Sequence, residues 1–201
     1  MKILKINKNN PNVQSLNEAV QCLKNGGVLV YPTDTCYGLG ADITNPIAIK
    51  KIYEIKGRSD RKPLSIIVRN LSQLKKIAIV DDFQEQILKK YLPGNFTFIL
   101  LNSDLDTFNQ TSIGIRIPKF KLTQLISDKF SEPYATTSAN ISGKQACYSI
   151  DNILKQFKHS NCLPDLFLDA GELPCTKPST IVDLTRQPFK IIRQGSGKFD
   201  E

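Results

Sequence analysis

The residues with chemistry to offer gather in five polar segments set against short apolar runs. Tyr31-Pro32-Thr33-Asp34-Thr35 leads into Tyr37-Gly38-Leu39-Gly40, and Lys56-Gly57-Arg58 is followed by Arg61 and Lys62. Thr111-Ser112 enters Ile113-Gly114-Ile115-Arg116. Thr136-Thr137-Ser138-Ala139-Asn140 precedes Ser142-Gly143, and Pro178-Ser179-Thr180 is joined near the end by Arg193-Gln194-Gly195. The groups on offer are cations and neutral hydrogen-bonders. Carboxylates are scarce, Asp34 and Asp60 being the near ones. Such a set suits phosphoryl or nucleotidyl transfer, in which positioned donors stabilise charge on an anion. It does not suit acid–base chemistry, which wants His or paired carboxylates.

Each segment also has a purely structural explanation. Thr33 and Asp34 are turn formers. Lys56 and Arg58 complement a helix C-terminus. Ser138 and Asn140 can cap a helix, and Ser179-Thr180 can be ordinary strand residues. Arg116 ends an alternating run, on the opposite face from Ile113, Ile115 and Ile117. On a solvent face it is an exposed charge; on a cavity face its guanidinium is a fork for carboxylate or phosphate. No GxxxxGK[ST] and no GxGxxG occurs. A nucleotide would therefore be held by side-chain cations and by backbone N–H groups around Ser138 to Gly143.

Composition narrows the class. The 201 residues are 40% hydrophobic and 23% charged, which excludes wholesale disorder and is enough for a core without disulfides. The 27 Lys+Arg exceed the 19 Asp+Glu for a net charge of +8, which implies an anionic partner. Lys50 to Lys62 carries six basic and two acidic residues, half of that excess. The five cysteines form no C-x-x-C pair and His159 is the sole histidine. Reduced thiols, rather than zinc, disulfides or a histidine-based triad, are the expectation. No run approaches the ~20 apolar residues of a membrane span, and the N-terminus has no signal-like stretch. A cytoplasmic protein with no membrane association is expected.

The elements that must hold these segments alternate. Ile3–Ile6 and the apolar run 28–31 read as strands, with a helix over Asn12–Lys24 between them, closed by Gly26-Gly27. Residues 32–40 read as a loop. Asn45-Pro46 starts a helix running to about Ile55. Strands are predicted over 64–68, 96–101, 113–117, 166–168, 180–184 and 189–192, with helices over 83–92, 119–130 and 150–157. The interleaving predicts an α/β protein, with a large mixed sheet covered by helices.

The motifs in their order resemble the YrdC-like threonylcarbamoyl-AMP synthases. The likeness runs from the helix before Gly26-Gly27 to Gly195. It is carried by GGVLVYPTDTCYGLGAD, KGRSDRKPL, LPGNFTFIL, SIGIRIP, TTSANISG, KPSTIVDLT and IIRQGSG. The resemblance implies a twisted, mostly open α/β sheet around a positively charged cavity. It implies a single domain over 1–201 of the short, TsaC-type form, without an additional C-terminal domain. The implied reaction joins L-threonine, bicarbonate or CO2, and ATP into L-threonylcarbamoyl-AMP, releasing pyrophosphate. That product serves threonylcarbamoyladenosine modification of tRNA, which separate threonylcarbamoyl transferase proteins complete.

Carried over residue by residue, the resemblance gives Lys56, Arg58, Ser138 and Asn140 as the catalytic K-x-R and S-x-N set. Arg58, Lys62, Ser112, Ser138, Asn140, Ala146 (through its backbone) and Arg193 would contact ATP. Thr33, Arg116, Thr136 and Ser179 would hold L-threonine. Magnesium would be carried with ATP, and no metal is assigned to protein ligands. Three positions depart from the pattern: Ile67 stands where longer members carry His, Ser59 where Pro is common, and Asn95 where Pro is frequent. The last change is shared with a paralogous branch that tends to lose K-x-R and S-x-N, both retained here. The basic charge also suggests tRNA or double-stranded RNA contact. A YrdC-like paralogue, or an RNA-binding module without synthase activity, is the alternative; the latter lacks an RRM-like aromatic motif.

Overall fold

The computed structural model describes residues 1–57, 63–103 and 110–200. Local chemistry sets its helices. α1 (Val13–Lys24) begins at Asn12, whose side chain accepts the Ser15 N–H at 2.7 Å. α2 (Pro46–Lys56) begins at Asn45 with Pro46 in its first turn, and it ends at Gly57 in the left-handed region, φ 58°. α3 (Leu71–Ile77) is capped by Asn70, and α4 (Asp82–Tyr91) opens with a capping box between Asp81 and Gln84. α5 (Lys121–Phe130) and α6 (Ile150–Phe157) follow.

The described strands are β1 (Lys2–Lys5), β2 (Leu29–Pro32), β3 (Tyr37–Asp42), β4 (Ser65–Ile67), β5 (Ala78–Ile79) and β6 (Phe96–Asn102), then β7 (Ser112–Arg116), β8 (Tyr134–Ser138), β9 (Leu166–Asp169), β10 (Thr180–Asp183) and β11 (Lys190–Arg193). They form one mixed sheet in the order β1-β9-β2-β3-β8-β4-β7-β6-β10-β11, with β5 on β6. The mixed sheet expected from the sequence is present. Four elements were not foreseen. Residues 37–42 are a strand rather than loop, and 71–77, 78–79 and 134–138 are regular elements where none was expected. In β3 the alternation is disguised because Gly38 and Gly40 lie beneath the ring of Tyr31, where a Cβ would come within 3.3 and 3.0 Å of it.

The two faces of the sheet are covered unequally, and this creates the site. On one face Val30, Leu39 and Ala135 pack under α2 and α6, while Ile66, Phe98, Ile115 and Val182 pack with α3 and α4. On the other face α1 and α5 cover only Leu29, Tyr31, Ile67, Tyr134, Leu166 and Leu168. The remaining stretch of that face carries Thr136, Ser65 and Gly114 as cross-strand neighbours. Small polar residues there leave a hollow that no helix fills.

Burial sets one pH response. It pushes the Cys22 thiol from 9.0 to about 12 and the Tyr31 phenol from 10.0 to about 12. Between those limits the folded chain keeps protons that the unfolded chain releases, so stability falls as pH rises. The melting temperature is expected to decline steadily from pH 9 towards pH 12, measured by scanning fluorimetry. A flat profile would contradict this.

Candidate active site

The hollow is a cavity of about 440 Å³. Its walls come from the β2–β3 turn (Thr33, Thr35, Cys36), β4 (Ser65), β6 (Thr97), β7 (Arg116) and β8 (Thr136, Thr137, Ser138). The segment after β8 adds Asn140, Lys144 and Ala146, and the chain's end adds Pro178, Ser179, Ile181 and Arg193. The lining residues thus include three cations and no carboxylate among the described residues.

Thr33 builds the turn that carries Asp34. Its hydroxyl donates to Cys36 O at 2.6 Å and accepts from Thr35 N at 3.1 Å. Asp34 then receives Arg116 Nη2 at 3.0 and 3.1 Å on its two oxygens. Thr136 meets the Tyr31 hydroxyl at 2.7 Å, and Ser179 meets Thr97 at 3.0 Å, hydroxyl to hydroxyl. Burial holds Cys36 as a neutral thiol by pushing its pKa up.

Lys56 joins α2 to the segment after β8. Its side chain is buried, 2% exposed. Its ammonium donates to Ser138 O at 2.6 Å and to Asn140 O at 2.9 Å, and its own carbonyl accepts Ser142 N–H at 2.9 Å. The Asn140 amide donates to Ile141 O and Lys144 O at 3.0 and 2.7 Å. The K-x-R and S-x-N motifs are therefore mechanically linked. Lys56 stands behind the cavity wall that the other motif lines.

Arg193 is fixed from the opposite side. Its Nε and Nη2 donate to Ser179 O at 3.1 and 2.9 Å. Burial, and then the Arg116 charge, pull its pKa below the usual arginine range. The two guanidiniums thus repel each other across one cavity, with Arg116 already paired to Asp34. Gly195 lets this end close, since a Cβ there would lie 2.0 Å from Pro178 O.

Eight of the residues to which the resemblance gives a role line this cavity: Thr33, Arg116, Thr136, Ser138, Asn140, Ala146, Ser179 and Arg193. Ser112 does not; it begins β7 opposite Leu101, on the face of Arg116 but about 13 Å along the strand from it. Arg58 and Lys62 lie outside the described residues. Sequence reasoning missed Ser65, Thr97, Lys144 and the pairing of Asp34. Ser65 and Thr97 carry a faint signal, each a hydroxyl next to the apolar runs of β4 and β6.

The sequence pattern of the family described as "Telomere recombination", Sua5_yciO_yrdC, matches residues 21–195. The chain belongs to this Sua5/YciO/YrdC family. A protein of Methanocaldococcus jannaschii, provisionally named threonylcarbamoyl-AMP synthase, is 38% identical over 85% of this chain and 81% of its own. YciO of Escherichia coli is 32% identical over 96% of this chain and 94% of its own, and its crystal structure superposes with a TM-score of 0.86. A threonylcarbamoyl-AMP synthase of Pyrococcus abyssi is 30% identical over 89% of this chain and 53% of its own, and P. abyssi Sua5 in complex with L-threonine is 28% identical. That structure superposes with a TM-score of 0.87 over 97% of this chain, which spans 58% of the Sua5 chain. Family membership brings nucleotidyltransferase-like activity and ATP chemistry as the general expectation. Among the described residues no helix is long and apolar enough to cross a membrane, and no group of three or more His, Cys, Asp or Glu could hold a metal.

Proposed function

We propose that this Sua5/YciO/YrdC protein is an L-threonylcarbamoyladenylate synthase. The observation that carries the reading is the convergence on one cavity of Arg116, Arg193 and the S-x-N segment, braced by Lys56. In this reading the cavity is positively charged. Arg116 takes the L-threonine carboxylate, with Thr33, Thr136 and Ser179 beside it. ATP lies along Ser138, Asn140, Ala146 and Arg193, with Arg58, Lys62 and Ser112 as further contacts.

The threonine amine, once deprotonated, attacks CO2 and loses a further proton, or attacks bicarbonate with loss of water, to give a carbamate. A carbamate oxygen then attacks the α-phosphate, and pyrophosphate leaves with its charge offset by the surrounding cations. Hydroxyls, amides and cations are a poor donor set for a protein-held magnesium ion, so the metal would arrive coordinated by the ATP phosphates. Threonylcarbamoyl transferase proteins and tRNA would use the product in the cytoplasm, and direct RNA contact would draw on the net charge of +8.

The test is incubation with ATP, magnesium, labelled bicarbonate and L-threonine, reading pyrophosphate and the labelled adenylate. Threonine-dependent release of both is expected; pyrophosphate independent of threonine, or none, would sink the reading. One observation favours a second reading, a paralogue with another substrate: E. coli YciO matches almost end to end. Turnover with other amino acids but not threonine would select it.

A further inference from the structure

Arg116 and Asp34 form the partition between two chambers. Arg116 lines the main cavity. Asp34 lines a neighbouring chamber of about 370 Å³, whose other charged and amide groups are Lys8, Asn95 and Lys119. Thr33 and Thr35 border both. The paired side chains are only 11% and 7% exposed. Asp34 engages Nη2 alone, and the buried Arg116 Nε has no hydrogen-bond partner among the described residues. This end of the cavity is thus a formally neutral pair with an unfilled donor.

A lone buried arginine attracts any carboxylate and any phosphate. A neutral pair behaves differently. A net anion on Arg116 also meets the Asp34 charge just beyond it, where little water screens the repulsion. A zwitterion escapes this, because its ammonium offsets Asp34. We infer that Asp34 is a specificity-determining residue: through Arg116 it makes this end of the cavity select a zwitterionic α-amino acid over a simple carboxylate or a phosphate. The inference rests on the reading of Arg116 as partner of the amino-acid carboxylate. It deepens that reading by separating two anionic substrates within one cavity. Of the cations lining the cavity, Lys144 and Arg193 are left for ATP phosphates, and no ion pair exists for either among the described residues.

Calorimetric titration of the full chain tests this. L-threonine, L-serine and glycine are each compared with the acid lacking the amine: 3-hydroxybutyrate, 3-hydroxypropionate and acetate. Wild type is expected to bind at least one amino acid roughly tenfold or more tightly than its acid. Asp34→Asn should shrink that ratio severalfold, weakening the amino acid and strengthening the acid, with ATP affinity little changed. Asp34→Glu, which keeps the charge, should retain more of the preference. Equal binding of acid and amino acid by wild type overturns the inference without any variant, so a poorly folding Asp34→Asn leaves the test intact. An unchanged ratio in folded Asp34→Asn also overturns it. If a zwitterion other than threonine is preferred, the synthase reading fails and the inference stands. If threonine binds but neither it nor any other amino acid binds better than its acid, the inference alone fails. Binding of neither class overturns both.

Discussion

Arg116→Ala is expected to abolish measurable threonine-dependent turnover and to destabilise the fold by about 3–5 kcal/mol. Both effects have one cause. The guanidinium is the only ion-pair partner of Asp34 among the described residues, and the pair is almost entirely removed from water. Deleting the cation leaves a buried carboxylate uncompensated and strips the cavity of its fork. The two consequences separate in a second variant. Asp34→Asn combined with Arg116→Ala removes the orphaned charge, so much of the lost stability should return, while turnover should not. Urea denaturation of the four proteins in this double-mutant cycle gives the coupling energy directly. A cycle that closes with no coupling would show that the pair is not formed in solution. Normal turnover in Arg116→Ala would remove this residue from the proposed threonine site.

Lys56→Ala should also eliminate turnover, by a different route. The ammonium donates to Ser138 O and Asn140 O from a position that is 2% exposed. Its loss removes the ammonium from the buried Asn140 carbonyl, at roughly 1–3 kcal/mol, and leaves the part-buried Ser138 carbonyl with the Asn140 N–H alone. The segment after β8 then loses its tie to α2, and with it the placement of Ser138, Asn140 and Lys144. Lys56→Met distinguishes bracing from packing, since it keeps the apolar stem and lacks the donors. If bracing governs, Lys56→Met loses stability and activity nearly as Lys56→Ala does, and hydrogen exchange at residues 138–144 rises in both. If Lys56→Met keeps wild-type exchange there while turnover falls, Lys56 acts on the substrate rather than on the loop.

The two variants would together say how a cation-rich family signature divides its labour. In the sequence, Lys56 reads as a helix-end charge of the K-x-R motif and Arg116 as a fork for an anion. In the fold, one is consumed by backbone carbonyls and the other by Asp34. Cationic residues can therefore assemble a site for anions while their own charges are largely answered within the protein, which limits the repulsion the folded chain must tolerate before substrate arrives.

The helices were legible because their signals are local. Asn12, Asn45 and Gly57 cap or close within a few residues of where they stand, and apolar spacing marks the buried stripe. The same holds for strands such as Phe96–Asn102, whose side chains bury on a core face. β3 and β8 were missed because one face of each borders the cavity or lies beneath a tyrosine ring. Selection there is for small and polar residues, and the period of two loses its apolar half. The site's membership was largely legible from the residues to which the resemblance gives a role, eight of which line the cavity, yet Ser112 stands apart from it.

By itself, the sequence determined the α/β class, the approximate bounds of every described helix but Leu71–Ile77, and the cationic, carboxylate-poor character first seen in five polar segments. These depend on residue type and on neighbours a few positions away. Only the tertiary structure decided which part of the sheet stays uncovered, that Lys56 turns towards carbonyls 82 and 84 positions away, and that Arg116 pairs with Asp34 across 82. Those outcomes follow from strand order and from the reach of α1 and α5 over one face. No local propensity encodes them, because the energy that fixes them comes from burying charges and apolar faces brought together by the whole chain.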